Sequence, residues 1–357
     1  MAKRKKAKTI GELKASGYKP ISLREEMRRN LIAMTRKRKK IFPGIIGFDD
    51  TVVPQIVNAI ISGQDIIFLG ERGQAKSRIM RSLVNLLDEE IPVIKGCEIN
   101  DNPFAPICKW CREKLAEEGD ATKIAWLPRE ERYGEKLATP DIAISDLIGD
   151  VDPIKVAEGR YLSDELTIHY GLIPRTNRGI FCINELPDLT DRLQVGLFNL
   201  MEERDIQIRG YRIRLPLDVF LVASANPEDY TNRGRIITPL KDRYGAQVKT
   251  RYPTTIEDKI SIVEMERRQF SDDEFECYIP QYMKEIVAEV THLARKSPDI
   301  NQRSGVSVRV SIANYETILS NAIRRAVTLG EKLALPRISD LPYIHSSTSG
   351  KIALESF

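Results

Sequence analysis

Apolar residues occur along the chain in two ways, as short continuous runs and as residues repeated at helical spacing. Continuous runs that end in glycine or polar residues indicate buried strands at 65–69, 179–183 and 219–223. Helical spacing predicts helices at 22–40, 76–88 and 190–203. This alternation favours an α/β domain in which a mostly parallel sheet has helices on both faces.

The pattern changes beyond Pro253, where only helical spacing remains, at 256–269, 281–296 and 308–329. The chain is therefore divided into a basic arm and helix at 1–40, an α/β domain at 41–252, an all-α domain at 253–345 and a tail at 346–357. Residues 92–138 are expected to form an insertion, and the alternating residues 206–217 a β-hairpin. Residues 1–20 lack an apolar period and are expected to be a mobile arm.

Length and composition narrow the class of protein. With 357 residues, 42% of them hydrophobic and 30% charged, the chain suits about two globular domains and not a disordered polymer. No apolar run reaches the roughly 18 residues of a membrane span, and no secretion signal is evident, so a cytoplasmic protein is expected. The net charge of +4 is the sum of +12 in residues 1–40 and −8 in the remaining residues. Because most of the chain is therefore acidic, nucleic acid is not expected as its main partner.

A glycine-containing turn follows the first predicted strand and leads into a helix, which is the context of a phosphate-binding P-loop. The backbone N–H groups of such a loop cradle the phosphates of ATP, here from Gly70, Glu71, Arg72, Gly73, Gln74 and Ala75. Lys76 would reach the β- and γ-phosphates, and the hydroxyl of Ser77 would bind Mg²⁺. Because Ala75 stands at a consensus glycine position, an ordinary strand–helix turn with a chance Lys-Ser pair is the alternative.

Polar residues also follow the other two predicted strands. Asn184 and Glu185 come after 179–183, and Asn226 comes shortly after 219–223. Open α/β sheets bind ligands at the carboxyl ends of their strands. Glu185 is the candidate general base for an attacking water, and Asn184 stands where an aspartate normally serves Mg²⁺, so a neutral amide is expected to weaken metal binding. The alternative is that buried strands simply end in solvated residues.

Together these motifs resemble the AAA+ ATPases of the magnesium-chelatase and MoxR branch, over about residues 41–345. Residues 70–77 are similar to Walker A, 180–185 to Walker B and 224–227 to sensor 1. Further similar segments are Gly159-Arg160, 171–180 and Leu240-Lys241-Asp242-Arg243-Tyr244. The resemblance implies a P-loop NTPase module followed by a small helical lid, ATP and Mg²⁺ as cofactors, and a homo-oligomeric ring, expected to be a hexamer.

The same resemblance implies roles for residues elsewhere in the chain. Arg243 would be the arginine finger that reaches a neighbour's nucleotide, and Arg309 the sensor 2 residue that acts on its own nucleotide. Asn226 would be the sensor 1 residue, and Ile46 and Gly47 fall where relatives contact adenine. Residues 206–217 would be the pre-sensor-1 hairpin. For each arginine the alternative is an ordinary surface side chain.

Five cysteines, an odd number, exclude a complete disulfide framework. Cys97, Cys108 and Cys111 lie in the predicted insertion, and the Cys-x2-Cys pair suits zinc. A fourth ligand is not evident: Asp101 and a distant histidine are candidates, and three buried thiols without a metal are the alternative. Cys182, in the middle of an apolar run, is assigned to the core.

These observations predict an ATP-binding and ATP-hydrolysing AAA+ protein whose ring remodels or activates an unknown protein client. Two alternatives stay open. One is a nucleotide-gated assembly scaffold with little hydrolysis, which Asn184 motivates. The other is a regulator similar to the sigma-54 activators, although their Gly-Ala-Phe-Thr-Gly-Ala loop is absent from this sequence.

Overall fold

The computed structural model describes residues 6–152, 154, 165–203, 205–207, 214–226, 235–269, 276–300 and 306–352. Gly159, Arg160 and the tip of the predicted hairpin at 208–213 lie outside these residues. Within the described ranges, no helix combines the length and the apolar character needed to cross a membrane.

Among the described residues, five strands form the central sheet: β1 (Ile66–Leu69), β2 (Tyr133–Leu137), β3 (Gly179–Asn184), β4 (Val219–Ala225) and β5 (Ala246–Lys249). Their order is β5-β1-β4-β3-β2, and every neighbouring pair is parallel. The three strands expected from sequence are therefore the three central ones. Their carboxyl ends lie along one edge of the sheet, and the predicted α/β fold class is confirmed.

Alternating side chains of the strands bury both faces of the sheet. Along β1, Ile66 and Phe68 face one layer and Ile67 faces the other, all with no exposed surface. The first layer contains the helices Leu23–Arg36, Val52–Ile61 and Lys76–Ser82. The second contains Asp191–Glu203 and Thr238–Arg243. Cys182 is buried in the first layer, as expected for a core residue.

Shorter elements complete the α/β part. The helices are Ile10–Ala15, Lys109–Glu118, Ile144–Leu147 and Leu172–Arg175. The 3-10 helices are Leu83–Leu86, Gly119–Ala121, Arg129–Arg132, Glu165–Thr167 and Leu186–Asp188. Antiparallel pairs join Glu90–Ile94 to Ile124–Pro128, Gly149–Val151 to Ile168–Tyr170, and Asp205–Gln207 to Arg214–Pro216. The last pair supplies the two strands of the predicted hairpin.

The C-terminal part is built on the helices Ile256–Glu266, Gln281–Lys296 and Val308–Leu329, close to the predicted bounds. Its main buried cluster contains Val263, Ile279, Met283, Val287, Tyr315 and Ile318. It is not purely helical, because Glu276–Cys277 pairs in parallel with Leu333–Ala334. The 3-10 helix Ile338–Ile344 and the helix His345–Thr348 follow.

The prediction of a mobile arm is wrong for residues 6–20. The helix Ile10–Ala15 buries Ile10 and Leu13 against the hairpin of the insertion. Thr9 forms a β-bridge with Lys123, and the indole N–H of Trp126 donates to the carbonyl oxygen of Ala7 at 2.9 Å. Two apolar residues in one short helix give too weak a periodic signal to be seen in the sequence.

The predicted insertion, 92–138, also needs a correction at its end. Tyr133–Leu137 is β2, an edge strand of the central sheet that pairs with β3. The hairpin Glu90–Ile94 with Ile124–Pro128 and the helix Lys109–Glu118 make up the rest of the region. β2 is missed in the sequence because Tyr133-Gly134-Glu135-Lys136-Leu137 has no apolar run.

A buried ion pair fixes the helix Leu23–Arg36 to the edge of the sheet. Both Nη atoms of Arg132 donate to the carboxylate of Glu26, at 2.7 and 2.6 Å, and the two side chains are 1% and 4% exposed. Nε of Arg132 donates to the carbonyl oxygen of Arg178, and Glu26 also accepts the N–H of Asp88. Satisfying every charged atom in this way offsets the cost of desolvating the pair.

Removing one partner of this pair should be strongly destabilising. Glu26→Gln leaves the guanidinium of Arg132 buried without a counter-charge, which typically costs about 3–5 kcal/mol. Urea unfolding of the variant and of the wild type measures the difference. The control is Asp120→Asn, which removes the exposed ion pair with Lys14 and should change the unfolding free energy by less than about 1 kcal/mol. Equal effects of the two substitutions would contradict this interpretation of the buried pair.

Candidate functional site

The loop between β1 and the helix Lys76–Ser82 is a tight turn that contains left-handed residues, as phosphate-binding loops do. Gly73 has a φ of +77°, and Ala75, at the N-terminus of the helix, has a φ of +59°. A residue with a Cβ in this left-handed conformation costs roughly 1–2 kcal/mol. This strain explains why glycine is the consensus residue at the position of Ala75, and the structure accommodates alanine there.

Two glycines of the loop are required by close packing. A Cβ on Gly70 would overlap the side chains of Thr250 and Gln74, which are hydrogen-bonded to each other at 2.7 Å. A Cβ on Gly73 would overlap the hydroxyl of Ser307, the residue that caps the helix Val308–Leu329. The loop therefore packs against both the sheet and the C-terminal helices.

The ammonium group of Lys76 lies in the middle of the loop, and the residue is only 7% exposed. It donates to the carbonyl oxygens of Gly70 and Glu71, the latter at 2.8 Å, and to Oδ1 of Asn226 at 2.6 Å. Buried charges need such partners, because burial without them is costly. Lys76 on the loop and Asn226 after β4 are thus directly linked.

The same amide of Asn226 connects Lys76 to Glu185. Nδ2 of Asn226 donates to Oε2 of Glu185 at 2.6 Å. Glu185 itself has a left-handed backbone with a φ of +56° where β3 ends. Its backbone N–H donates to the hydroxyl of Ser224 on β4 at 3.2 Å. Three predicted site residues from three different segments therefore form one hydrogen-bonded network.

Asn184 lies beside this network and faces the other predicted metal-binding residue. Ser77 donates from Oγ to Oδ1 of Asn184 at 3.4 Å, and Ser224 donates to the same oxygen at 3.3 Å. Nδ2 of Asn184 donates to Oε1 of Glu135 at 2.6 Å. Hydroxyl, amide and carboxylate oxygens, which are the ligand types of Mg²⁺, are therefore adjacent at this edge.

Glu135, on β2, is a site residue that no sequence motif predicts. Its carboxylate accepts from Nε and Nη2 of Arg81, at 2.8 and 3.0 Å, and from the hydroxyl of Tyr133 at 3.1 Å. Partial burial alone would raise the pKa of Glu135, but the hydrogen bonds of Arg81 and Tyr133 and the charge of Arg81 hold it below its ordinary value. A negative charge is therefore maintained next to Asn184.

Tyr252, which precedes the C-terminal helices, also contacts the loop and is itself covered by one of those helices. The hydroxyl of Tyr252 donates to the carbonyl oxygen of Arg72 at 2.7 Å, and the guanidinium of Arg295 lies 4.1 Å from the centre of the Tyr252 ring. Arg309 is exposed in the first turn of the helix that starts beside Gly73, and its backbone N–H donates to Ser307. Tyr252 and Arg295 were not singled out in the sequence, because neither lies in a recognisable motif.

The remaining predicted residues lie around this centre. Ile46 and Gly47 are partly buried, and a Cβ on Gly47 would lie 3.2 Å from the carboxylate of Asp258 on the helix Ile256–Glu266. Arg243 forms an ion pair with Glu202 and lies 5.5 Å from the centre of the Phe198 ring. Among the contacts of the described residues, neither Arg243 nor Arg309 joins the network of Lys76.

Comparisons with known proteins give a consistent set of relatives. No protein-family model matches the chain. It is similar to the magnesium-chelatase subunit ChlI homolog of Methanocaldococcus jannaschii, with 28% identity over 234 residues, which is 62% of this chain and 58% of the relative. It is also similar to magnesium-chelatase subunit ChlI of Nostoc sp., with 28% identity over 324 residues, covering 85% of this chain and 82% of the relative. The chain thus covers less than two thirds of the Methanocaldococcus protein.

A chain from a cryo-EM-based model of the complex between subunits BchI and BchD of magnesium chelatase is similar in structure. The match has 19% identity and a TM-score of 0.45, and it covers 88% of this chain and 96% of that chain.

Proposed function

We propose that this chain, which belongs to the AAA+ family of the magnesium-chelatase I subunits, binds and hydrolyses ATP with Mg²⁺ and acts in a ring to remodel or activate a protein partner in the cytoplasm. The observation that carries the proposal is the network of Lys76, Asn226 and Glu185 at the carboxyl edge of adjacent parallel strands. An ordinary strand–helix turn would have no need for a buried cation that an amide links to a carboxylate.

Phosphate binding rests on the loop and on Lys76. The backbone N–H groups of a turn with alternating left- and right-handed residues form a concave anion site. Gly73 and Ala75 have the left-handed conformation that such a turn requires. The ammonium group of Lys76, now held by two carbonyl oxygens and Asn226, provides the positive charge for the β- and γ-phosphates.

Hydrolysis rests on Glu185. A water molecule attacks the γ-phosphorus, its proton passes to the carboxylate of Glu185, and ADP leaves with the electron pair of the broken P–O bond. Asn226 holds the carboxylate by a 2.6 Å hydrogen bond and also contacts Lys76, so it orients the base relative to the phosphates.

The Mg²⁺ position is assigned to Ser77 and Asn184, with Glu135 behind them. Asn184 brings no charge to the metal, but its amide is hydrogen-bonded to the carboxylate of Glu135. Glu135 therefore supplies negative charge from the neighbouring strand β2, one hydrogen bond away from the residue at the usual aspartate position. Because that charge is further from the metal, weaker Mg²⁺ binding than in a site with aspartate is expected.

Assembly and partner are inferred from the relatives and from Arg243. Both relatives reported above carry the word subunit in their names, which supports a role within an assembly. The side chain of Arg243 is 45% exposed at the end of its helix, where it can exchange Glu202 for the phosphates of an adjacent subunit. We extend this assignment to a hexameric ring that acts on a protein client. A scaffold that binds ATP but hydrolyses little is the second candidate, favoured by the neutral Asn184.

Nucleotide binding should depend on Lys76. Lys76→Ala removes a charged hydrogen-bond donor worth about 1.5–3 kcal/mol, so ATP affinity should fall roughly 10- to 150-fold by calorimetry. Lys19→Ala, which removes an exposed lysine of the N-terminal segment, is the control and should bind as the wild type does. Glu185→Gln should retain binding and reduce turnover by about 10²–10⁴-fold. Unchanged affinity in Lys76→Ala would contradict the P-loop, and negligible wild-type turnover would favour the scaffold.

The Mg²⁺ requirement should depend on Asn184 and Glu135. Asn184→Asp places a second carboxylate against Glu135, so the variant should be less stable without Mg²⁺ and should reach half-maximal turnover at lower Mg²⁺. Glu135→Gln should raise the Mg²⁺ concentration needed. Asn58→Asp, on an exposed helix position, is the control for the added charge. A Mg²⁺ dependence that none of these variants alters would place the metal elsewhere.

Complementation between subunits should reveal the role of Arg243. Loss of an arginine finger typically reduces the rate by 10³–10⁵-fold, so Arg243→Ala and Glu185→Gln should each be inactive. Mixed at fixed total concentration, the two variants create some interfaces with both residues intact, and ATPase activity should partly return. A mixture that co-assembles and binds ATP but stays inactive would show that Arg243 does not act across an interface.

A further inference from the structure

Three thiols and one carboxylate converge in the insertion. Cys97, Asp101, Cys108 and Cys111 each offer one ligand atom, and these four atoms all lie within 4.8 Å of one another. Asp101 and Cys111 have no exposed surface and Cys108 is 4% exposed. Residues separated by up to fourteen positions in the sequence therefore meet in one small, mostly buried space.

The local backbone holds these residues in place. The strand Glu90–Ile94 ends in a turn in which the N–H of Asp101 donates to Sγ of Cys97 at 3.4 Å. Cys108 caps the helix Lys109–Glu118, and its Sγ accepts the N–H of Cys111 at 3.3 Å. Both sulfur atoms thus accept backbone hydrogen bonds, an arrangement that stabilises sulfur carrying negative charge.

The carboxylate of Asp101 is only half satisfied. Oδ2 accepts the N–H groups of Ile107 and Cys108, at 3.1 and 3.0 Å. Oδ1 is buried without a hydrogen-bond partner among the described residues. An unpaired buried carboxylate oxygen is costly, so a ligand is expected at this point.

We propose that this cluster binds one Zn²⁺ through the sulfur atoms of Cys97, Cys108 and Cys111 and through Oδ1 of Asp101. A tetrahedral zinc site with Zn–S distances of about 2.3 Å has its ligand atoms about 3.8 Å apart, so small shifts close the cluster around a single ion. Three thiolates and a carboxylate complete the four positions of a structural site. Binding releases the thiol protons to solvent and changes no oxidation state.

The position of the cluster indicates a structural role. Asn177 donates from Nδ2 to the carbonyl oxygen of Ile99, and Asn100 donates from Nδ2 to the carbonyl oxygen of Arg175. The loop that carries Cys97 and Asp101 is thereby attached to the segment that leads directly into β3. A metal in the cluster would fix the helix Lys109–Glu118 to the same loop, and so couple the insertion to β3, the strand that precedes Glu185.

Metal analysis of protein purified without chelator tests the site. The wild type should contain about one equivalent of zinc, and Cys108→Ser and Asp101→Asn should lose most of it. Cys277→Ser, at an exposed position in the C-terminal part, is the matched control and should retain it. Asp101→Cys supplies a fourth thiolate and should retain zinc if residue 101 is a metal ligand. If Asp101 only maintains the local structure, this variant should lose zinc as Asp101→Asn does.

Removing the metal gives an independent measurement. A strong chelator should lower the thermal unfolding midpoint of the wild type, and added Zn²⁺ should restore it, whereas the already depleted Asp101→Asn should respond to neither. Lys76→Ala should keep its zinc, so failure of the ATP site and failure of the zinc site are distinguishable. Less than half an equivalent of zinc after incubation with Zn²⁺, or iron in its place, would overturn the assignment.

Discussion

A buried ammonium group is the constraint on which the centre of the molecule depends. Lys76 is held among two loop carbonyl oxygens and the amide of Asn226, and a charge in this position must be solvated by protein groups. The carbonyl oxygens that it contacts belong to Gly70 and Glu71, and the left-handed residues Gly73 and Ala75 then turn the chain into the helix that begins at Lys76. Asn226 can reach the lysine only because β4 lies next to β1.

The same loop also contacts the C-terminal part of the chain. Ser307 lies against Gly73, and Tyr252 holds the carbonyl oxygen of Arg72 while Arg295 stacks on its ring. Gly73 and the start of the helix Val308–Leu329 are therefore in direct contact. These contacts link the C-terminal helices to the loop.

Much of this arrangement follows from sequence because it rests on strong, local signals. The apolar runs of β1, β3 and β4 fix the centre of the sheet, and the polar residues after them fix which side chains meet there. The N-terminal helix and β2 were missed, because Ile10 with Leu13 gives one turn of periodicity and residues 133–137 have no apolar run. Glu135 was missed with its strand: its place beside Asn184 is set by the pairing of β2 with β3, which no local pattern encodes. The roles of Arg243 and Arg309 stay predictions.

Both tryptophans of the chain lie in the insertion, and each reports on a different contact there. Trp110 lies between two of the clustered cysteines, with Lys114 4.6 Å from its ring centre, and Trp126 is hydrogen-bonded to the N-terminal segment. The intrinsic fluorescence of the protein therefore arises from this region and from tyrosines, not from indole rings at the nucleotide loop. Light at the red edge of the absorption band excites tryptophan and not tyrosine. The emission of the native chain then reports on the insertion alone, without an added label.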